Sequence, residues 1–149
     1  MEIAALEQYL HHQIPLSAAM NVTVSGTTPD SVILGAPLEP NINHKSTAFG
    51  GSLSTLGILA AWSLVHLRLL DEGEDCEVVI QSNQMEYHKP VVGPFIARSA
   101  LAVPTIWPTF VKTLRRRKLA RIEVYSEIIF NEDIVGKLTG RFVAFLQKP

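Results

Sequence analysis

Residues 40–52 gather the side chains that could do chemistry on a carbonyl group. Amide, imidazole and hydroxyl groups crowd this segment at Asn41, Asn43, His44, Thr47 and Ser52. Two consecutive glycines, Gly50 and Gly51, allow a ligand to approach the backbone closely. They precede a long apolar run, and the first turn of a helix offers unpaired N–H groups and the positive end of the helix dipole. Such a loop can polarise a carbonyl oxygen, although the same residues also fit an ordinary glycine turn with a serine cap.

A long apolar helix, predicted over residues 53–70, must position this loop. Its most apolar part is the ten-residue run 56–65, which ends before His66 and Arg68. That run is too short for a membrane span, so the pattern predicts a buried helix. A helix that is apolar nearly all round must be covered on most of its sides.

The remaining pattern predicts a short N-terminal helix and six strands. Residues 2–12 place Ile3, Leu6 and Leu10 on one helical face, and Pro15 ends that helix. Residues 21–37 form a hairpin with its turn at 26–30, and strands follow at 76–88, 95–103, 119–130 and 134–146. Residues 107–118 are a connector with helical character. This order predicts an α+β fold in one domain, residues 1–149, with a six-stranded antiparallel sheet wrapped around the central helix.

Bulk composition narrows the class of protein. The chain has 149 residues and a formal net charge of −1, which gives no reason to expect nucleic acid as a partner. Its single cysteine, Cys76, excludes an internal disulfide framework and suits a reducing compartment. The first ten residues lack the basic region of a signal peptide, so we expect a cytoplasmic protein away from membranes. No Cys/His/Asp spacing resembles a metal site, and no cofactor is expected.

The order of elements and the Asn-x-Asn…Phe-Gly-Gly-Ser loop (41–52) resemble the hotdog fold, and more narrowly the family named after the C-terminal domain of YiiD. The resemblance extends to Ile14-Pro15-Leu16, to Tyr87-His88-Lys89-Pro90 and to the basic segment 114–121. Members are commonly labelled thioesterases. Some are malonyl-acyl-carrier-protein decarboxylases that help to start fatty-acid synthesis, either alone or fused to an acetyltransferase-like domain. The length of this chain resembles the standalone form.

The resemblance implies roles for particular residues. Asn43 matches the family's critical asparagine, and we expect its amide to contact the thioester oxygen or the malonyl carboxylate. The N–H of Gly50 or Gly51 would be the second donor. Further substrate-binding candidates are Asn41, His44, Thr47, Ser52, Thr55, Tyr87, Arg115 and Arg116. The two arginines belong to a basic run that is either a solvated face or a docking patch for an acidic carrier protein or the phosphates of CoA. The fold also implies a homodimer or larger oligomer joined edge to edge.

The two reactions require different residues. Hydrolysis of a thioester needs a group that activates water, and hotdog hydrolases with this pattern carry an acid about two helical turns after the glycines. Those positions are Ile58 and Leu59 here, and no Asp or Glu occurs between residues 40 and 70. Decarboxylation needs no base, because the departing CO₂ leaves its bond electrons in the thioester. We therefore expect a malonyl-carrier-protein decarboxylase. A thioesterase and a non-catalytic acyl-thioester-binding or dimerisation module are the alternatives.

Overall fold

The computed structural model describes residues 1–146 and contains four α-helices in that range. They are α1 (Ile3–Gln13), α2 (Pro15–Ala19), α3 (Gly50–Asp71) and α4 (Trp107–Arg117). Short 3₁₀ turns occur at Glu39–Asn41 and Pro104–Ile106. The strongly periodic segments 2–12 and 107–118 are therefore helical, as the sequence predicted.

Six antiparallel strands form one sheet. They are β1 (Thr23–Thr28), β2 (Ser31–Ala36), β3 (Cys76–Tyr87), β4 (Phe95–Leu101), β5 (Leu119–Phe130) and β6 (Asp133–Leu146). Their spatial order is β1-β2-β4-β5-β6-β3, so β1 and β3 are the two edges. β3 pairs along its whole length with β6, from Cys76 opposite Leu146 to Tyr87 opposite Gly136, with an irregularity between Ile80 and Ser82.

The helix α3 lies on one face of this sheet and supplies the centre of the core. Leu56 and Leu64 are fully buried, and Leu59 is only 4% exposed. Truncating a leucine of this kind to alanine typically costs about 2–5 kcal/mol of unfolding free energy. α3 is long and apolar enough to cross a membrane by length and composition, yet 61% of its most apolar window is buried inside the protein. The predicted α+β hotdog arrangement, with a central helix wrapped by a six-stranded sheet, is confirmed.

The structure differs from the prediction at several boundaries. α3 begins at Gly50 rather than at residue 53, because the backbone of Phe49 starts the helix without any side-chain cap. Pro15 does not merely end the first helix, since it occupies the first turn of α2, where a missing N–H costs nothing. The hairpin turn is confined to residues 29–30, because Gly26 and Thr27 stay paired in β1 beyond a register shift after Val24.

Candidate active site

The start of α3 presents unpaired backbone donors. Phe49 is the N-cap residue, with extended backbone angles (φ −61°, ψ 132°), and its carbonyl oxygen accepts from the N–H groups of Ser52 (2.9 Å) and Leu53 (3.2 Å). The N–H groups of Gly50 and Gly51 have no acceptor among residues 1–146. These two donors lie at the positive end of a 22-residue helix, which is the geometry that holds an oxyanion.

Aromatic rings lie close to both glycines. A Cβ atom on Gly50 would lie 3.3 Å from a ring carbon of Tyr87, and one on Gly51 would collide with the ring of Phe49. The Tyr87 hydroxyl also donates to the Gly50 carbonyl oxygen at 3.1 Å. The Tyr87 end of β3 therefore lies directly against the start of α3, which brings two of the predicted site residues into contact.

Asn43 organises the preceding loop. Its side-chain carbonyl accepts from the N–H groups of Lys45 (2.8 Å) and Thr47 (3.1 Å), and its amide nitrogen donates to the Thr47 hydroxyl (2.8 Å) and the Ala48 carbonyl (3.4 Å). Between them, Ser46 adopts a left-handed conformation (φ 64°). The Asn43 side chain thus folds the loop as an Asx turn. The hydrogen bond from its amide nitrogen to the Ala48 carbonyl is the longest of the four, so this N–H is the donor most easily turned towards a ligand.

Asn41 lies inside the protein rather than on the loop surface. The residue is 2% exposed, and its amide nitrogen donates to the carbonyls of Met20 (3.0 Å) and Pro37 (2.8 Å). Its backbone carbonyl accepts from the Phe49 N–H at 2.7 Å. Asn41 thereby connects the end of α2, the end of β2 and the N-cap of α3. Contact of its side chain with substrate stays a prediction.

One stripe of α3 beyond the glycines is only partly buried. It contains Thr55, Ile58 and Trp62, whereas Leu59 points into the core. The Thr55 hydroxyl donates to the Gly51 carbonyl at 2.7 Å, and the indole N–H of Trp62 donates to the Val78 carbonyl at 2.7 Å. Of the two positions where a hydrolase would hold its acid, only Ile58 therefore lies on the accessible side of the helix.

A cavity of about 280 Å³ opens beside the helix start. It is lined by Ala48, Gly50, Leu53, Tyr87, His88, Lys89, Pro90 and Val91. Lys89 and Val91 were not among the predicted site residues, although Lys89 belongs to the Tyr-His-Lys-Pro motif. Lys89 lies 3.8 Å from Asp133, and His88 lies 3.5 Å from Glu86, with all four side chains largely exposed. The cavity thus joins the free N–H group of Gly50 to an apolar wall and a polar rim.

The other candidates divide into two locations. Thr47, Ser52 and Thr55 are half-buried around the helix start, and His44 is exposed on the loop. Arg115 and Arg116 lie at the opposite end of α3, about 33 Å away at ~1.5 Å of rise per residue. Arg115 forms ion pairs with Glu72 (3.4 Å) and Glu74 there, and the hydrogen bond that its guanidinium donates to the Glu74 carboxylate raises the pKa of Arg115. The structure does not bring the arginines to the glycine loop of their own chain.

Two further titratable groups lie away from the glycines. His66 stacks on Trp62 (4.5 Å between ring centroids) and on Tyr9 (5.1 Å), and burial followed by the positive N-terminus lowers the pKa of His66. Burial, with Glu74 and Asp75 nearby, raises the pKa of the Cys76 thiol to about 11, so it is not a thiolate nucleophile at neutral pH. Residues 1–146 contain no cluster of three His, Cys, Asp or Glu side chains suited to a metal ion.

Comparison with known proteins supports the architecture and shows the family of the chain. The family described as "Putative thioesterase (yiiD_Cterm)" matches residues 3–146. A protein of unknown function from Chlorobaculum tepidum superposes with a TM-score of 0.91 at 29% identity, over 97% of this chain and 94% of that chain. A protein from Shewanella oneidensis with the same thioesterase description superposes with a TM-score of 0.83 at 23% identity, over 96% of both chains. A thioesterase from Haemophilus influenzae gives 0.79 at 13% identity, over 98% of this chain and 92% of that chain, and these last two similarities show the fold alone.

Proposed function

The chain belongs to the YiiD C-terminal family of thioesterase-type hotdog proteins, and from this premise we propose that it acts on short acyl thioesters at the start of α3. The observation that carries the proposal is the pair of unpaired N–H groups of Gly50 and Gly51, the first of which lines the cavity. A thioester oxygen seated there would receive its charge stabilisation from backbone donors and the helix dipole.

We propose decarboxylation of a malonyl thioester as the reaction. The bond between the malonyl methylene carbon and its carboxylate breaks, and the electron pair passes into the thioester as an enolate while CO₂ leaves. The glycine N–H groups stabilise the enolate oxygen, and a proton from water then converts the methylene carbon to a methyl group. The product is an acetyl thioester of the same carrier, and no enzyme base takes part.

The apolar character of the accessible face of α3 supports this reaction. No Asp or Glu occurs between Glu39 and Asp71, and Ile58 occupies the half-exposed position where an acid would stand. Lys89 lines the cavity, and the malonyl carboxylate would compete with Asp133, 3.8 Å away, for its positive charge. Removal of water from that carboxylate by the apolar helix favours loss of CO₂.

Hydrolysis is the second candidate, and one contact favours it. Glu86 lies 3.5 Å from His88, and His88 lines the cavity. A carboxylate next to an imidazole is an arrangement that can activate water. Sequence reasoning missed this pair because it looked for the acid on the helix, where hotdog hydrolases of this pattern hold it. The family description as a thioesterase agrees with this reading.

A homodimer joined through β3 completes the proposal. β3 is an edge strand of 12 residues, and most of its side chains are exposed, including Val79 at 47%. A long exposed edge is a liability that proteins cover, and pairing with a second copy would cover it. Sedimentation at micromolar concentration should therefore show a dimer at least, and a monomer would contradict the assembly.

The products formed from malonyl-carrier protein test the proposed reaction. After incubation with the purified protein, intact mass spectrometry of the carrier distinguishes three results. An acetyl-carrier product supports decarboxylation, a free carrier thiol supports hydrolysis, and unchanged substrate supports a binding module. Acetyl-carrier protein as substrate is the matched control, because only a hydrolase can act on it.

A further inference from the structure

Four cations form an exposed basic surface on α4 and the turn that follows it. This α4 basic surface consists of Lys112, Arg116, Arg117 and Lys118. No ion-pair partner for any of the four exists within the part of the chain that the structure describes. Arg115 differs, because Glu72 and Glu74 neutralise it. The sequence predicted a docking patch that included Arg115. In the structure Arg115 is already paired, so the four cations of the α4 basic surface are the ones that can contact a partner.

α4 holds these charges on a rigid platform. Trp107, Phe110 and Leu114 are at most 5% exposed, and the Trp107 indole donates to the Glu72 carboxylate at 3.0 Å. Lys112 and Arg116 are four residues apart, so they lie on one ridge of the helix. The Arg115 ion pairs fix the last turn of α4 to the end of α3. A fixed array of unneutralised cations favours an extended acidic partner surface.

The position of this surface along β3 separates it from the site of its own chain. Gly50 contacts Tyr87 at one end of β3, whereas Arg115 contacts Glu74 just before Cys76 at the other end. Cys76 and Tyr87 bound a strand of 12 residues, about 37 Å long at ~3.4 Å per residue. The phosphopantetheine arm of a carrier protein is shorter than this even when fully extended. A carrier docked on α4 therefore cannot deliver its acyl group to the glycine loop of the same protomer.

A two-fold axis removes this separation. When β3 pairs with its own copy and both α3 helices stay on the same side of the joined sheet, the two strands must run antiparallel. The Tyr87 end of one strand then lies beside the Cys76 end of the other. The glycine loop of one protomer thus faces the α4 side of its partner.

We propose that the α4 basic surface of one protomer docks an acidic acyl carrier protein, whose acyl arm enters the site of the other protomer. The inference rests on the thioester substrate and the β3-paired dimer of the proposed function. The carriers it fits have acidic helix surfaces that match three cations along α4 and a fourth, Lys118, just after its end.

Mixed dimers test the crossed delivery. The docking-deficient copy is Arg116→Glu with Arg117→Glu, and the site-deficient copy is Gly50→Pro. Differently tagged copies are co-expressed, and mixed dimers are isolated by sequential affinity steps. A dimer of one docking-deficient and one site-deficient copy should keep about half of the wild-type activity on malonyl-carrier protein. A dimer of one wild-type copy and one copy with both defects should be inactive, and the reverse pattern would overturn the proposal.

Two controls separate this proposal from its premise. The Arg116→Glu/Arg117→Glu homodimer should turn over malonyl-CoA at the wild-type rate and bind holo-carrier protein about tenfold or more weakly, as lost interface charges imply. If turnover of malonyl-CoA fell as much as carrier binding, the α4 basic surface would bind CoA phosphates, and the proposal of carrier docking would be overturned. A double variant of the same charge change on the outer sheet face, Arg98→Glu/Lys137→Glu, should bind the carrier normally. Should the wild-type protein turn over neither substrate, the proposed reaction fails, and carrier binding by these two double variants still decides the docking claim.

Discussion

The Tyr87 hydroxyl donates a hydrogen bond to the carbonyl oxygen of Gly50 at 3.1 Å. Further along the same strand, the Trp62 indole donates to the Val78 carbonyl at 2.7 Å. These two contacts attach α3 to β3 at two points, so the glycine turn and the exposed sheet edge form one unit. An assembly that pairs β3 with a second copy would therefore place that copy directly beside the free N–H groups of the glycines.

Replacing Gly50 by proline removes one proposed donor with little change of backbone. Proline suits the first helical position, and Phe49 already has the extended ψ of 132° that a residue before proline requires. We expect turnover to fall by ~10²–10³-fold, the usual effect of losing one oxyanion donor. Gly50→Ala is the matched control, because it adds the same Cβ against Tyr87 and keeps the N–H. Equal turnover in the two variants would assign the donor elsewhere.

Substitution of Asn43 separates its two roles. Asn43→Ala removes four loop contacts, and we expect it to lower the unfolding free energy by about 1–2 kcal/mol and to abolish most activity. Asn43→Asp keeps the oxygen that accepts from Lys45 and Thr47 and loses the amide donors. It should stay closer to wild-type stability in chemical denaturation and still be nearly inactive. Wild-type turnover by Asn43→Asp would show that the amide N–H does not contact the substrate.

Acids at positions 58 and 59 should act differently because the two side chains face different surroundings. Ile58→Asp places a carboxylate on the accessible face, and two like charges ~4 Å apart at an effective dielectric of ~20 repel by about 4 kcal/mol. We expect a folded protein with strongly reduced decarboxylation, while Ile58→Asn, neutral and of the same shape as aspartate, keeps more activity. Leu59→Asp should lose at least about 3 kcal/mol of stability through burial of an unpaired acid. Normal decarboxylation by Ile58→Asp would exclude this face from the site.

The contrast between Leu59 and Arg115 shows how far the sequence alone predicts this protein. The uninterrupted apolar run around Leu59 predicts a buried helix. The alternating pattern after residue 76 predicts strands, and the sheet that they form covers this helix. The start of α3 could not be placed, because Phe49 caps it through backbone groups that any residue carries. The partners of Arg115 are 41 and 43 residues away, and such pairings depend on the assembled fold. The Asx turn of Asn43 is local. The groups that its amide contacts, on Thr47 and Ala48, come within reach only because Ser46 adopts a left-handed conformation, which the sequence does not reveal.

His66 should make stability depend on pH. Its pKa is lowered from 6.5 by burial against Tyr9 and Trp62 and by the N-terminus, with Glu74, Asp75 and Glu77 lining the same cavity. The unfolded chain therefore binds a proton first as the pH falls. The contribution of neutral His66 to the unfolding free energy is therefore fully present above pH ~6.5. It is lost as the pH falls through the pKa of His66 in the folded protein. Denaturant unfolding between pH 7.5 and 5 should show this decline in the wild type and less of it in His66→Phe, which keeps the stacking. Parallel pH profiles would contradict it.

The partition of malonyl-carrier protein between CO₂ loss and thiol release tests the central claim most directly. Both products are read from the same intact-mass time course, with the Gly50→Pro protein as the matched blank. We predict that the wild-type protein converts malonyl-carrier to acetyl-carrier, leaves acetyl-carrier intact, and forms acetyl-carrier ~10²–10³-fold faster than Gly50→Pro. Release of free carrier thiol from both substrates, without an acetyl intermediate, would contradict the decarboxylase account and establish hydrolysis.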